Sequence, residues 1–319
     1  MRVRSLLAIV LSCAASGATA AEYPARPIRI IVTFTPGSAS DLLARMFGPK
    51  LHEAWGQQVV VDNRPSAGGT VGGAIVAGAT PDGHTMLLTS SAFAGSAALY
   101  DKLPYDSEKD FRGVSLIAQT ALLLVVSPTL GAKTVKDLIA IAKQKPGQLN
   151  FGSSGIGSGT HYGTELFNLA AGIKAVHVPY KGTPEVITDT VGGRIHYATS
   201  PPLAAVPQVR AGRLIAVGVT SLKRLPMIPE VPTIAEAALP GFEYQGWFGV
   251  LVPARTPQPV VAKLSAEIGR IAAMPDIQER IARDGASAAS STPAEFDKLV
   301  RDEIATRKKV FRAAGAKPD

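Results

Sequence analysis

The chain has 319 residues, is 46% hydrophobic but only 6% aromatic, and carries 33 basic against 25 acidic residues, a formal net charge of +8. Arg2 and Arg4 precede an apolar run, Leu6 to Ala15, that leads to Ala18-Thr19-Ala20, so residues 1–20 read as a cleavable export signal, and the poor match of Val10-Leu11-Ser12 argues against lipidation at Cys13. Cys13 is the only cysteine, which excludes disulfides, thiol catalysis and thiolate metal sites from the mature chain, and the basic face interleaved with aromatics that nucleic acid requires is missing.

From Ile28 to Thr33 runs a β-branched strand, followed by Thr35-Pro36-Gly37-Ser38-Ala39-Ser40-Asp41 and then helical spacing at Leu42, Leu43, Met46, Phe47 and Leu51. Ser40 or Asp41 is the expected N-cap, and capping is the simpler reading of Asp41 than a general base. Val59-Val60-Val61 is the next strand, ending in a second junction, Asp62 to Thr70, before a short helix over 71–77. Thr85 to Thr89 is a strand stopped by Ser90-Ser91, Leu122 to Val126 another, and a helix over 134–145 is ended by Pro146-Gly147.

Phe151 to Gly163 reads Phe-Gly-Ser-Ser-Gly-Ile-Gly-Ser-Gly-Thr-His-Tyr-Gly and lies between a strand and a helical pattern over 164–171. Such a junction presents unpaired backbone N–H groups and the positive end of a helix dipole, with small residues that let an anion approach. Ser153, Ser154, Ser158 and Thr160 add hydroxyls, and no Lys or Arg is present to make one dominant ion pair.

Val176 to Gly182 is strand then turn, a helix from Pro184 ends at Gly192-Gly193, a strand over 194–199 breaks at Ser200-Pro201-Pro202, and a helix from about Leu203 precedes a strand over 214–220. Proline-rich connecting chain follows over 222–240. Trp247 to Val252 is strand-like, a helix over 259–273 carries Val260, Leu264, Ile268 and Ile271 on one stripe, and Thr292-Pro293-Ala294-Glu295 is a capping box opening a final helix. The alternation predicts α/β units with mainly parallel sheets and ligands beyond the carboxyl ends of the strands. Lys223-Arg224 and Arg307-Lys308-Lys309 read as solvated surface.

Several chemistries fail on spacing. Gly155 to Gly159 lacks the third glycine of a dinucleotide fingerprint, Gly152 to Ile156 misses the nucleophile elbow by one residue, and no phosphate loop occurs. The five histidines show no i, i+4 pair, so no metal is expected. His161, inside the glycine junction, is the one histidine singled out as functional, as a donor to a bound carboxylate.

The chain resembles extracytoplasmic solute-binding receptors of the tripartite tricarboxylate transporter type, the group first noted as Bordetella uptake proteins. The resemblance is carried in order by Tyr23 to Ile28, Pro81-Asp82-Gly83, Leu103 to Asp106, Lys109-Asp110-Phe111, Gly147 to Ser153, Val176 to Gly182, Ala211 to Leu214, Val231-Pro232-Thr233, Leu239-Pro240-Gly241 and Trp247-Phe248-Gly249. It implies a two-domain periplasmic-binding-protein fold, with a ligand cleft between the domains and two crossings near 121–127 and 243–252. Residues 21–122 and 246–319 would form one domain and 123–245 the other. It implies a small organic acid as ligand, permease subunits of the transporter as partners, a monomer in the periplasm, no cofactor and no catalysis. The expected ligand contacts are Phe34, Pro36, Gly37, Ser38, Asp41, Ala67, Gly68, Gly69, Thr70, Ser90, Ser91, Ser153, Ser154, Ser158, Gly159, Thr160, His161, Tyr180, Ser200 and Trp247. Two departures stand out: Ser38 replaces a glycine frequent in relatives, and Ser200 replaces an acidic residue, which disfavours a ligand with an amino group. A sensor docking on a signalling partner, and a secreted hydrolase using Ser158 and His161, are the competing readings.

Overall fold

The computed structural model describes residues 23–66 and 69–316, so the expected export signal lies outside them, as do Ala67 and Gly68. Strands β1 (Ile28–Val32), β2 (Val59–Asn63) and β3 (Thr85–Ser90) pair in parallel with β1 in the middle. Helix α1 (Ala39–Trp55) links β1 to β2 and α2 (Thr70–Ala77) links β2 to β3. After β3 the chain makes α3 (Ala92–Leu99) and then an 11-residue strand, β4 (Phe111–Ala121). Neither was expected from the sequence, for a shared reason. Both are enclosed on several sides, so their apolar residues form no single stripe or alternation.

With only Leu122 between them, β4 continues into β5 (Leu123–Val126), which belongs to a second sheet. Along this half lie α4 (Val135–Gln144), β6 (Asn150–Ser153), α5 (Gly159–Ala171), β7 (Val176–Pro179), α6 (Thr183–Val191), β8 (Tyr197–Ser200), α7 (Pro202–Arg210), β9 (Ile215–Val219) and the single turn α8 (Ile234–Ala237). Their strand order is β7-β6-β8-β5-β9. The chain then returns through β10 (Gln245–Pro253), which inserts between β3 and β4, and finishes with α9 (Gln258–Ala272), α10 (Pro275–Arg283), β11 (Ser287–Ala288) and α11 (Pro293–Ala314).

The sheets are mixed, where the alternation had predicted mainly parallel ones. The crossings are the cause. β10 re-enters against the direction of β3 and β4 and pairs antiparallel with both, and β5, arriving from the other sheet, is antiparallel to β8 and β9. Each sheet is covered on both faces. In the first, α1, α9 and α10 pack over Ile30, Val32 and Leu88, while Ile31, Leu87 and Leu251 meet α2, α3 and α11.

The two crossings are tied together by buried Thr220. Its Oγ1 accepts from the Leu122 N–H at 2.8 Å, its N–H donates to the Leu122 carbonyl at 2.9 Å, and its carbonyl accepts from the Tyr244 N–H at 2.8 Å. Ala121 and Leu123 are regular strand and β10 begins at Gln245, so the first crossing narrows to Leu122 and the second passes through Tyr244. A fifth apolar cluster sits there and joins the halves: Leu99, Leu122, Tyr162, Tyr244, Val310 and Phe311. Arg307, read from the sequence as solvated, is fully buried in this region, because α11 is covered there by α3 and α5.

Candidate functional site

Three helix starts meet between the two halves. At α1 the N-cap is Ser38, whose Oγ accepts from the Asp41 N–H at 3.3 Å while the Asp41 carboxylate accepts from the Gly37 N–H at 2.9 Å. The cap therefore lies two or three residues before the expected Ser40 or Asp41, since Gly37 at φ 82° turns the chain early. Burial pushes the Asp41 carboxyl up, but the Arg45 guanidinium, the Gly37 amide and Asn63 together outweigh it and hold Asp41 below the usual carboxylate range. Asp41 is thus a buried first-turn residue whose carboxylate is held by Gly37 and Arg45, and Ser38 takes the capping role expected of Ser40 or Asp41.

At α5 the helix starts at Gly159, five residues ahead of the sequence pattern. Ser158 is the N-cap, accepting from the His161 N–H at 3.1 Å. Thr160 Oγ1 gathers the junction: it accepts from the Ser154 N–H at 2.9 Å and lies 2.9 Å from Ser154 Oγ and 3.0 Å from Ser158 Oγ. The third start is α3, where the Ser91 N–H donates to the Trp247 carbonyl at 2.9 Å and the Ser90 hydroxyl accepts from the Ala92 N–H at 3.3 Å. The sequence presents Ser90-Ser91 as a strand end; that a helix begins there depends on the unforeseen α3.

These starts line a cavity of about 270 Å³ together with Phe34, Ala39, Ser40, Thr120, Leu122, Pro201, Tyr244, Gly246, Trp247 and Phe248. No Asp, Glu, Lys, Arg or His is among its lining residues. Charge selection there falls to backbone N–H groups, hydroxyls and helix dipoles, which favour an anion. Aromatic and aliphatic walls suit an apolar body between polar ends.

Of the expected contacts, Phe34, Ser38, Ser90, Ser91, Ser154, Ser158, Gly159, Thr160 and Trp247 line this cavity. Pro36, Gly37, Asp41, Gly69, Thr70, Ser153, His161, Tyr180 and Ser200 are not among its lining residues. Gly69 sits against Thr33, where a Cβ would come 2.8 Å from the Thr33 Cβ. Tyr180 donates to Asp189 at 2.7 Å, the Ser200 hydroxyl turns to the Pro201 carbonyl at 3.4 Å, and buried Ser153 is 2.6 Å from His177 Nε2. Ala67 and Gly68 are outside the described residues. Sequence reasoning missed Thr120, Leu122, Tyr244 and Phe248. Their signal is positional: they flank the two crossings.

His161 turns inward, away from the role of ligand donor expected for it. It is 1% exposed, its Nδ1 accepts from the Gly157 N–H at 3.1 Å, and its ring stacks on His177 at 3.9 Å and packs against Phe311 at 4.9 Å. Burial, with the nearby His177 and Arg307 charges, pushes its pKa down to about 3, and burial pushes His177 down to about 4. Glu165 Oε1, 3.9 Å from His161 Nε2, belongs to a carboxyl that burial raises to about 7. Ser158 is bonded to the backbone of His161 and not to its ring, so no nucleophile and base pair is assembled there. Among the described residues no group of three or more His, Cys, Asp or Glu could hold a metal ion, and no helix is long and apolar enough to cross a membrane.

The family model described as "Tripartite tricarboxylate transporter family receptor" matches residues 43–316. A Pseudomonas sp. (strain P51) protein from the tcbD-tcbE intergenic region is 40% identical over 306 residues, covering 95% of this chain and 91% of its own. Protein BugT of Bordetella pertussis is 34% identical over 320 residues, covering 99% and 98%. Among solved structures, R. palustris Rpa4515 with adipate superposes with TM-score 0.81 at 34% identity, covering 93% of this chain and all of that one. MatC from Rhodopseudomonas palustris with bound malate gives TM-score 0.76 at 31% identity, covering 90% and 99%.

Proposed function

Because this chain belongs to the tripartite tricarboxylate transporter receptor family, we propose that it is an exported receptor that captures a small organic carboxylate between its domains and delivers it to permease subunits in the membrane. The observation that carries the reading is the meeting of the α1, α3 and α5 starts on one cavity lined by no Asp, Glu, Lys, Arg or His. Each start contributes roughly 0.3–1 kcal/mol toward an anion, up to about 2 kcal/mol when partly buried, and hydrogen bonds to a charged oxygen add about 1.5–3 kcal/mol each. A few such bonds reach the roughly 8 kcal/mol of micromolar affinity. We assign Ser38, Ser91, Ser158 and Thr160 as the hydroxyl contacts and Phe34, Leu122, Trp247 and Phe248 as the walls. Adipate and malate in the related structures support a dicarboxylate.

The reading places the mature chain, from Ala21 onward, in the periplasm as a monomer that binds its ligand without altering it. Calorimetry with adipate, malate, citrate and benzoate tests it, together with mass spectrometry of the recovered ligand and of the secreted protein. Binding of an acid that is returned unchanged is expected. Turnover, or no response to any acid, overturns the proposal.

A further inference from the structure

A fully buried charge lies behind the cavity and not in it. Arg307, from α11, is fully buried, a costly place for a guanidinium unless its donors are satisfied. Four of its five N–H donors are engaged, on three different pieces of chain. Nε and Nη2 hold the Glu303 carboxylate at 3.0 and 2.7 Å, Nη2 donates to the Tyr244 hydroxyl at 3.1 Å, and Nη1 donates to the Gly157 carbonyl at 3.3 Å. The guanidinium carbon also lies 4.2 Å from the centre of the Tyr162 ring.

Each partner leads to the cavity. Glu303 accepts from the Trp247 indole N–H, and Trp247 and Tyr244 line the wall on the side of the crossing. Gly157 precedes the Ser158 cap, and its N–H is held by His161. The backbones come together closely at this seam: a Cβ on Gly95 of α3 would lie 2.1 Å from the Gly157 carbonyl oxygen and 3.1 Å from Arg307 Nη1. A Cβ on Gly159 would lie 3.0 Å from the Tyr244 hydroxyl.

We propose that Arg307 is a positioning residue for the binding cavity: it ties the start of α5 on one wall to Tyr244, and through Glu303 to Trp247, on the other, and so sets the distance between the two walls. The planar fork suits this task because it engages several partners in fixed directions, which a lysine ammonium on a flexible stem does not. The proposal rests on the reading that this cavity is the ligand site. Its structural half, the placement of the α5 start, stands without any ligand.

The test uses the mature full-length chain with Arg307→Lys and Arg307→Met, read by amide exchange without ligand and by calorimetry with adipate. In Arg307→Lys, exchange should rise at residues 155–161 and 244–247 while the rest keeps its protection, and adipate affinity should fall about tenfold. Arg307→Met should lose more on both readouts, with lysine recovering part of it. A purely structural arginine would instead raise exchange throughout. If Arg307→Met does not fold, Arg307→Lys decides. Local exchange equal to the parent, or a uniform rise, overturns the proposal, as does parental adipate affinity in a variant whose junction has loosened. A parent that binds no acid overturns the functional reading alone, since the exchange arm is still read in the unliganded protein.

Discussion

Replacing Gly95 with alanine should disturb the seam between the α3 and α5 starts, and with it both stability and binding. Gly95 lies within α3, where glycine costs roughly 0.5–1 kcal/mol relative to alanine, so the helix itself should gain stability. The added Cβ would stand 2.1 Å from the Gly157 carbonyl oxygen, whereas ordinary contact begins near 3.4 Å. The α3 and α5 starts must therefore part by about 1.3 Å, the difference between those distances. The hydrogen bond from Arg307 Nη1 to that same oxygen, already 3.3 Å long, does not survive such a movement. A ligand bridging the separated starts loses at least one hydrogen bond to its charged oxygens, worth about 1.5–3 kcal/mol, so affinity should fall roughly 10- to 150-fold. The assay pairs calorimetry with adipate and the melting temperature of the unliganded protein. Weakened binding with a lowered melting temperature is expected, because the backbone clash and the lost bond of a buried guanidinium outweigh the helix gain of roughly 0.5–1 kcal/mol. Parental affinity would show that the separation of the α3 and α5 starts does not govern the cavity.

Ser158→Ala removes the α5 cap and a cavity hydroxyl together, and should cost about 0.5–2 kcal/mol of stability by thermal melting as well as weakening adipate binding by calorimetry. An alanine variant equal to the parent in both measurements would refute the assignment. Acid sensitivity follows from the neutral pair beneath the junction. Between pH 6.5 and 5 the unfolded chain takes up protons at His161 and His177 that the folded chain refuses, while Glu165 is protonated only in the folded chain; the net of one proton lowers stability by roughly 1.4 kcal/mol per pH unit as pH falls. His177→Gln should nearly flatten that slope in urea titrations at several pH values, and an unchanged slope would show that these groups do not govern it.

The resemblance, spread in order along the chain, was enough to establish the family and the two-domain architecture. The glycine and hydroxyl junctions were legible for a local reason. A strand, a tight turn and a capped helix start are decided by residues within a few positions of one another, as the pairing of Ser158 Oγ with the His161 N–H shows. Even so, capping geometry moved the start of α1 to Ala39 and that of α5 to Gly159, ahead of where apolar spacing began.

What only the tertiary structure decided involves partners far apart in the chain. The α3 start joins the cavity because β10 returns beside β3 and the Trp247 carbonyl receives the Ser91 N–H. His161 turns inward because His177 and Phe311 close over its ring. Arg307 sits in a run of basic residues that is indistinguishable from a solvated helix face, yet its partners Tyr244 and Gly157 are 63 and 150 positions away. Sequence pattern reports which face of a helix is apolar. It does not report that a neighbouring domain brings hydrogen-bond acceptors to that face, and that is what makes burying a charge there tolerable.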